Sequence, residues 1–445
     1  MLYNNNCLQV SNRKYKFVRL MLDPRNIVFK VMFLAVFLSF LLMPFYPLTA
    51  CGDEAGKTVK DTIANFVKNE VIVKFKDYVT EEDKSKLHKR LGIKSFFKSY
   101  GNQYHKIRCK DGDVKRMIGA YSRAAVVEFA EPNYIYKALF TPNDESFDLQ
   151  WNMEQINCES AWDVSSGNGI VVAVVDSGVN TNGVDGFTWE VIQGRDFANG
   201  DDDSTDDNGH GTHVAGTIGQ ATNNNVGVAG VAFNATIMAV KVLGRRGIGD
   251  IAAIADGVRW AVDNGAHVIN LSVGGNGRSR VLETAVNDAH SNGVVLVAAA
   301  GNESGNVVFP AAFENVIAVG SVRFDERLSF FSNFGPEIDI VAPGGDLNVD
   351  QNDDGFDDGI LQETFRRGRF FRRNNEMWDL FSFQGTSFSC PHVSGVAALI
   401  LSNDPSLTPD EVKERMTSTA KDLGREGKDN IFGWGLLDAE ASLLQ

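Results

Sequence analysis

Hydrophobic positions fall into three regimes along the chain. The first is continuous: Val31 to Ala50 carries no charge, and Arg25 and Lys30 lie just before it. The second alternates. Asn69–Phe75 (NEVIVKF) has the two-residue period of a strand. Thr80-Glu81-Glu82-Asp83 then reads as a helix start, with Thr80 as N-cap and acids in the first turn. A strand at Tyr104–Cys109, a helix around Asp113–Tyr121 and strands at Ala125–Phe129 and Tyr134–Lys137 complete a small α+β unit of the split-βαβ, ferredoxin-like kind. The third regime begins at Gly169. Apolar runs at Ile170–Val175, Ala235–Val242, His267–Leu271, Val294–Ala298 and Val316–Val322 alternate with helical stretches. That pattern predicts an α/β fold, a doubly wound, mostly parallel sheet covered by helices.

Composition narrows the function. With 445 residues, 43% hydrophobic, the chain can bury a large core, and 43 Gly against 11 Pro argues against a disordered or collagen-like chain. Five Cys exclude a disulfide scaffold. The net charge of −14 argues against a nucleic-acid partner, which needs a basic face. The charge is uneven. Residues 69–139 hold fifteen Lys/Arg against nine Asp/Glu, whereas residues 140–445 hold 19 against 44. A block of +6 beside one of −25 reads either as two solvated surfaces or as two pieces built to dock.

The uncharged run has the form of an export signal: positive flank, apolar stretch, small residues. Its length would also span a bilayer, although Pro44 and Pro47 would break the last turns of such a helix. Leu48-Thr49-Ala50-Cys51 resembles a bacterial lipobox, in which the cysteine is lipidated and becomes the new N-terminus. The expected organisation is a signal over 1–51, a polar tether over 52–68, a small domain over 69–139 and a large one over 140–445.

Three segments carry the candidate chemistry, and all lie where a parallel sheet gathers it, beyond the carboxyl ends of strands. They are Val171-Val-Ala-Val-Val-Asp176-Ser-Gly178, Asn208-Gly209-His210-Gly211-Thr212-His213, and Gly385-Thr386-Ser387-Phe388-Ser389-Cys390-Pro391-His392. Taken singly, each has a plainer reading: a turn-forming Asp, a structural His, a helix-capping Ser.

Together, in this order, the motifs resemble those of the subtilases, the subtilisin-like serine proteases, and the resemblance covers nearly all of 140–445. It implies a subtilisin-like fold and an Asp176–His210–Ser387 triad. Ser387 would be the nucleophile, His210 the base and later the acid, and Asp176 the group that fixes the imidazole tautomer. Asn302, in Ala298-Ala-Ala-Gly301-Asn302, matches the oxyanion-hole donor, with the Ser387 N–H as the second. Ser272-Val273-Gly274, with Gly301, resembles the edge on which substrate adds as an extended strand. His213 and His392 read as structural, and Cys158 and Cys390 as small buried residues. Phe388 stands where the family usually has Met, and Gly183-Val184-Asp185-Gly186 replaces the common His-Pro-Asp-Leu. Two insertions stand out, an acidic one at Asp346–Asp358 and an arginine-rich one at Arg366–Arg373.

The resemblance also makes the basic block a propeptide that acts as intramolecular inhibitor. The cut would fall between Leu139 and Phe140, because Phe140-Thr-Pro-Asn-Asp144 resembles the mature start of thermitase-like members. It implies structural calcium as well. Ala221, Val226 and Val228 would give carbonyls, Asn224 a side-chain oxygen, and Asp144 and Asp185 carboxylates. Asp196 with Asp201, Asp202 and Asp203 is a second candidate cluster, with a merely solvated loop as its alternative. A third rests on spacing: Asp350, Asn352, Asp354 and Asp358 stand at positions 1, 3, 5 and 9 around Gly355, although position 12 is Leu361 rather than Glu.

The reading is an exported serine endopeptidase, lipid-anchored through Cys51 or secreted, made as an autoprocessed zymogen acting on protein or peptide substrates. The alternatives are a catalytically silent subtilase fold that binds partners in a calcium-dependent way, and a protease dedicated to one partner.

Overall fold

The computed structural model describes residues 66–110, 112–135, 140–367 and 376–445. The signal segment, Cys51, most of the tether and Leu139 lie outside the described residues. The described chain forms two compact units, divided between residues 135 and 140.

The first unit runs β1 (Phe66–Phe75), α1 (Glu81–Arg90), β2 (Phe96–Lys98), β3 (His105–Arg108), α2 (Val114–Ser122) and β4 (Val127–Tyr134). Its sheet has the order β2-β3-β1-β4 with every pair antiparallel, which is the split-βαβ arrangement. Thr80 caps α1 by accepting the Asp83 N–H. Val71, Val73, Ile107, Met117 and Tyr121 form the core. Two strands were expected after α2; a single edge strand takes their place. It runs through Pro132, which an edge tolerates because one side of the strand needs no donor. β2 went unpredicted because three residues carry no period. Among the core residues, His88 bonds Tyr121 Oη through Nδ1 (2.7 Å) and His105 Nδ1 through Nε2 (2.8 Å). Burial, with His105 beside it, pushes His88 down to about 4.

The second unit opens with short helices α3 (Trp151–Gln155) and α4 (Cys158–Trp162). It continues β5 (Val171–Asp176), β6 (Ile192–Asp196), α5 (His210–Gly219), β7 (Thr236–Lys241), α6 (Ile251–Asp263), β8 (Val268–Leu271), α7 (Arg280–Ser291), β9 (Val295–Ala299), β10 (Ile317–Val322) and β11 (Ile340–Pro343). A hairpin follows, β12 (Ile360–Arg367) with β13 (Glu376–Phe383), and then α8 (Thr386–Asn403), α9 (Pro409–Thr419) and α10 (Ala439–Leu443).

The seven strands β5–β11 form one parallel sheet, ordered β11-β10-β9-β8-β5-β7-β6. Helices pair over it, α5 with α8 and α6 with α7, so central strands such as Val172–Val175 are apolar at every position and fully buried. The strand order reverses around β5, and there the carboxyl ends of β5, β8 and β9 lie side by side.

Candidate active site

β5 ends on Asp176, which is fully buried. Its Oδ1 accepts the Ser177 N–H at 2.6 Å and faces His210 Nδ1 at 2.8 Å. His210 is the first residue of α5. Gly211 behind it lets the helix approach β5, since a Cβ there would stand 2.3 Å from the Gly178 carbonyl oxygen. Burial works against the imidazolium, but the Asp176 carboxylate, with Asp206 behind it, outweighs burial and lifts His210 above the usual imidazole range.

Ser387 lies in the first turn of α8, among N–H groups that a helix leaves without internal partners. The ring of Phe388 packs on His210, with centroids 5.3 Å apart. Ser387 Oγ donates to the Ser272 carbonyl (3.1 Å) rather than to His210. Asn302 follows β9. Its Oδ1 accepts both the N–H (2.8 Å) and the hydroxyl (3.0 Å) of Thr386, which leaves the Asn302 amide as a donor beside Gly385. The Gly301 N–H also donates to the Thr386 hydroxyl. Ser272, Val273 and Gly274 leave β8, and the next residue, Gly275, exchanges backbone bonds with Phe309 at 2.9 and 3.0 Å.

The sequence reading missed several supports. Asp206 is fully buried and takes hydrogen bonds from Ser177 Oγ, the Asn208, Gly209 and Thr212 N–H groups and Thr212 Oγ1. Lys241 Nζ ties the Ser177 and Leu243 carbonyls to Asp207. Asn270 Nδ2 donates to Ser272 Oγ (3.0 Å) and its Oδ1 accepts from Ser394 (2.9 Å). Only Asp206 and Asp207, just before the His210 motif, had any local signal.

His213 and His392 are buried on backbone and amide partners, His213 Nε2 facing the Ile360 and Phe381 carbonyls and His392 facing Asn152 and the Phe388 carbonyl. Burial pushes them down to about 3 and about 4. Burial raises the Cys158 thiol and pushes Cys390 up to about 12.

Compared with protein families, residues 167–435 match the subtilase family and residues 53–133 match the fervidolysin N-terminal prodomain. The chain belongs to the subtilase family. It is 37% identical over 416 residues to the thermophilic serine proteinase of Bacillus sp. (strain AK1), covering 91% of this chain and 96% of that one. The alkaline protease of Alkalihalobacillus alcalophilus is 39% identical over 296 residues, 66% of this chain and 70% of that one. Among solved structures, a protease from Pseudoalteromonas arctica PAMC 21717 matches with a TM-score of 0.61 and 36% identity, over 68% of this chain and 99% of that one. The chain is a subtilisin-like serine protease with an N-terminal prodomain, and the silent alternative has no support.

In this subtilase, Asp144 and Asp185 are buried, and among the described residues no basic side chain pairs with either. Both face the loop at 221–228. Asp144 accepts the Asn223 N–H (2.7 Å), and Asp185 accepts the Val228 N–H (2.8 Å) and Asn224 Nδ2 (3.0 Å). The carbonyls of Ala221, Val226 and Val228 accept no hydrogen bond among the described residues. Burial pushes Asp185 up to about 6. Two unpaired buried carboxylates beside free carbonyls suit a hard cation. In the second cluster, Asp196 accepts from Asn199, Asp201 from the Asp203 N–H and Asp203 from the Thr205 N–H, while Asp202 pairs with Arg195. Around Gly355, Asp350 takes the Asp354 and Gly355 N–H groups, and Asn352 bonds Asp354. Asp358 is buried with Oδ1 unpartnered, and burial, with Asp350, Asp354 and Asp346 nearby, pushes it up to about 6. Among the described residues no three His, Cys, Asp or Glu side chains form one metal-holding group, so any ion here depends on amide and carbonyl oxygens as well.

Proposed function

We propose that this subtilase is an exported endopeptidase, synthesised as a self-processing zymogen, in which Asp176, His210 and Ser387 perform the hydrolysis. The observation that carries the assignment is the 2.8 Å bond between Asp176 and His210 beside the turn that holds Ser387. Ser387 Oγ turns from the Ser272 carbonyl to His210 Nε2, gives up its proton and attacks the scissile carbonyl. Asp176 keeps the Nδ1 proton in place and stabilises the imidazolium. The Asn302 amide and the Ser387 N–H receive the oxyanion. His210 then protonates the leaving amine, and water repeats the sequence on the acyl-enzyme. Substrate backbone lies along Ser272–Gly274 and Gly301 as an added strand.

The basic prodomain inhibits until it is cut away, a reading supported by its family match and by its charge, opposite to that of the rest of the chain. The cut falls between Leu139 and Phe140. Calcium holds the Asp144–Asp185 site and the Asp350–Asp358 loop as a structural ion. Export is supported by relatives such as the halolysin-like extracellular serine protease of Natrialba magadii; Cys51 would tether the precursor by lipid before processing.

Intact-mass and N-terminal analysis of the expressed protein beside its Ser387→Ala form tests the whole reading. The first should begin at or within a few residues of Phe140, and the second should keep its prodomain. Processing that persists in Ser387→Ala, with no host protease responsible, would overturn it.

A further inference from the structure

The hairpin β12–β13 flanks the arginine-rich insertion, and β12 is buried where it meets the loop before α5. Gly209, the residue before His210, has φ of +102°. Its N–H donates to both oxygens of Asp206 (3.0 and 3.1 Å), and its carbonyl accepts from Thr364 Oγ1 at 2.7 Å. A Cβ on Gly209 would stand 2.7 Å from the Phe365 carbonyl oxygen, so the hairpin backbone rests directly against this residue. The first-turn bond of α5 to the same carbonyl, from the His213 N–H, is longer, at 3.3 Å.

From this we infer that Thr364 is a positioning residue for His210. The inference rests on His210 being the base. Gly209 is held at both polar groups, by Asp206 on its N–H and by Thr364 on its C=O. Those two bonds fix the torsions of a residue that, lacking a side chain, would otherwise be free to vary them. The peptide they fix sets the direction of the His210 Cα–Cβ bond, and through it the contact of Nδ1 with Asp176. The hairpin is anchored to the same region twice more, by His213 Nε2 on the Ile360 and Phe381 carbonyls and by Glu363 on the Val184 and Asp185 N–H groups. Thr364 is fully buried and its hydroxyl has this one acceptor, so the bond does not compete with water.

The test compares Thr364→Val, which keeps the branched shape and loses the donor, with Thr364→Ser, which keeps the donor. Rates are normalised by active-site titration. T364V should lower kcat about tenfold with KM little changed, because a base displaced by a fraction of an ångström loses rate rather than binding. T364S should restore kcat to within about twofold. The second readout is the acid limb of kcat/KM. The charged and titratable groups facing His210 are Asp176, Asp206 and His213. A looser Asp176 contact stabilises the imidazolium less, so the limb should move to lower pH in T364V and stay in place in T364S. Should T364V not mature, the downfield Nδ1 proton of His210 is read instead in the full-length Ser387→Ala precursor, where T364V should shift it upfield or broaden it. Unchanged kcat, limb and proton signal in T364V, or equal losses in T364V and T364S, would overturn the inference. A His210→Ala enzyme that kept its activity would instead overturn the assignment of the base on which it rests.

Discussion

Ser272 supplies to the carbonyl of Ser387 the hydrogen bond that the helix cannot. In α8 that carbonyl would accept from residue 391, but Pro391 has no N–H. Ser272 Oγ donates to it instead at 2.7 Å, and Ser387 Oγ returns a bond to the Ser272 carbonyl at 3.1 Å. Removing Ser272 Oγ should therefore cost ~1–2 kcal/mol, the penalty for an unpaired acceptor. Ser272→Ala should show this as a lower melting temperature in the Ser387→Ala background, where self-digestion is absent. With Pro391→Ala also present, the new N–H takes over and the cost should largely vanish. Equal costs in both backgrounds would contradict the arrangement.

Thr386 occupies the carbonyl oxygen of Asn302, so the amide is the group left to donate. Asn302→Leu should lower kcat by ~10²–10³ with little change in KM, the loss expected for one oxyanion donor used only in the transition state. Steady-state kinetics on a peptide substrate decides this; a rise in KM at constant kcat would assign Asn302 to ground-state binding.

Acid should loosen the prodomain. Unfolded, an imidazole takes its proton near pH 6.5; in the fold, burial and then His105 hold His88 down to about 4, with Glu81 opposing, while Lys84 and Lys98 add to the burial of His105. A folded-state value below the unfolded one means stability that is full above pH 6.5 and lost as pH falls from 6.5 towards 4. A gap of that size is worth roughly 3 kcal/mol. In the full-length Ser387→Ala protein, amides of Val71–Val73 and Lys106–Ile107 should exchange faster at pH 4.5 than at 7.5 after correction for intrinsic rates, while those of Val172–Val174 should not. Equal protection of both units would count against it.

Chelation should destabilise the catalytic domain. An ion that binds only the folded state adds ~2.7 kcal/mol when present at a hundredfold over its Kd. The melting temperature of Ser387→Ala should fall on thorough stripping and recover with calcium, and Asp185→Asn should remove a large part of that difference. Identical melting with calcium and with chelator would refute the calcium assignment.

The central strands were legible because burial on both faces leaves runs such as Val171–Val175 with no polar position to confuse them. Edge and insertion elements were not. β6 (IQGRD) is half polar because one of its sides has no neighbouring strand, and β12 alternates no pattern at all, burying Gln362, Glu363 and Thr364 on specific partners. The motifs brought Asp176, His210, Ser387 and Asn302 into view. Their supports stayed hidden because the partnerships are spatial: Thr364 lies 155 residues from Gly209, and Ser272 lies 115 from Ser387.

Mass spectrometry after exposure to a fluorophosphonate, which reacts with an activated serine, tests the Asp176–His210–Ser387 assignment most directly. The mature enzyme should gain one adduct, on the peptide that contains Ser387, and Ser387→Ala and His210→Ala should gain none. An adduct on another serine, or labelling that survives in Ser387→Ala, would contradict the account.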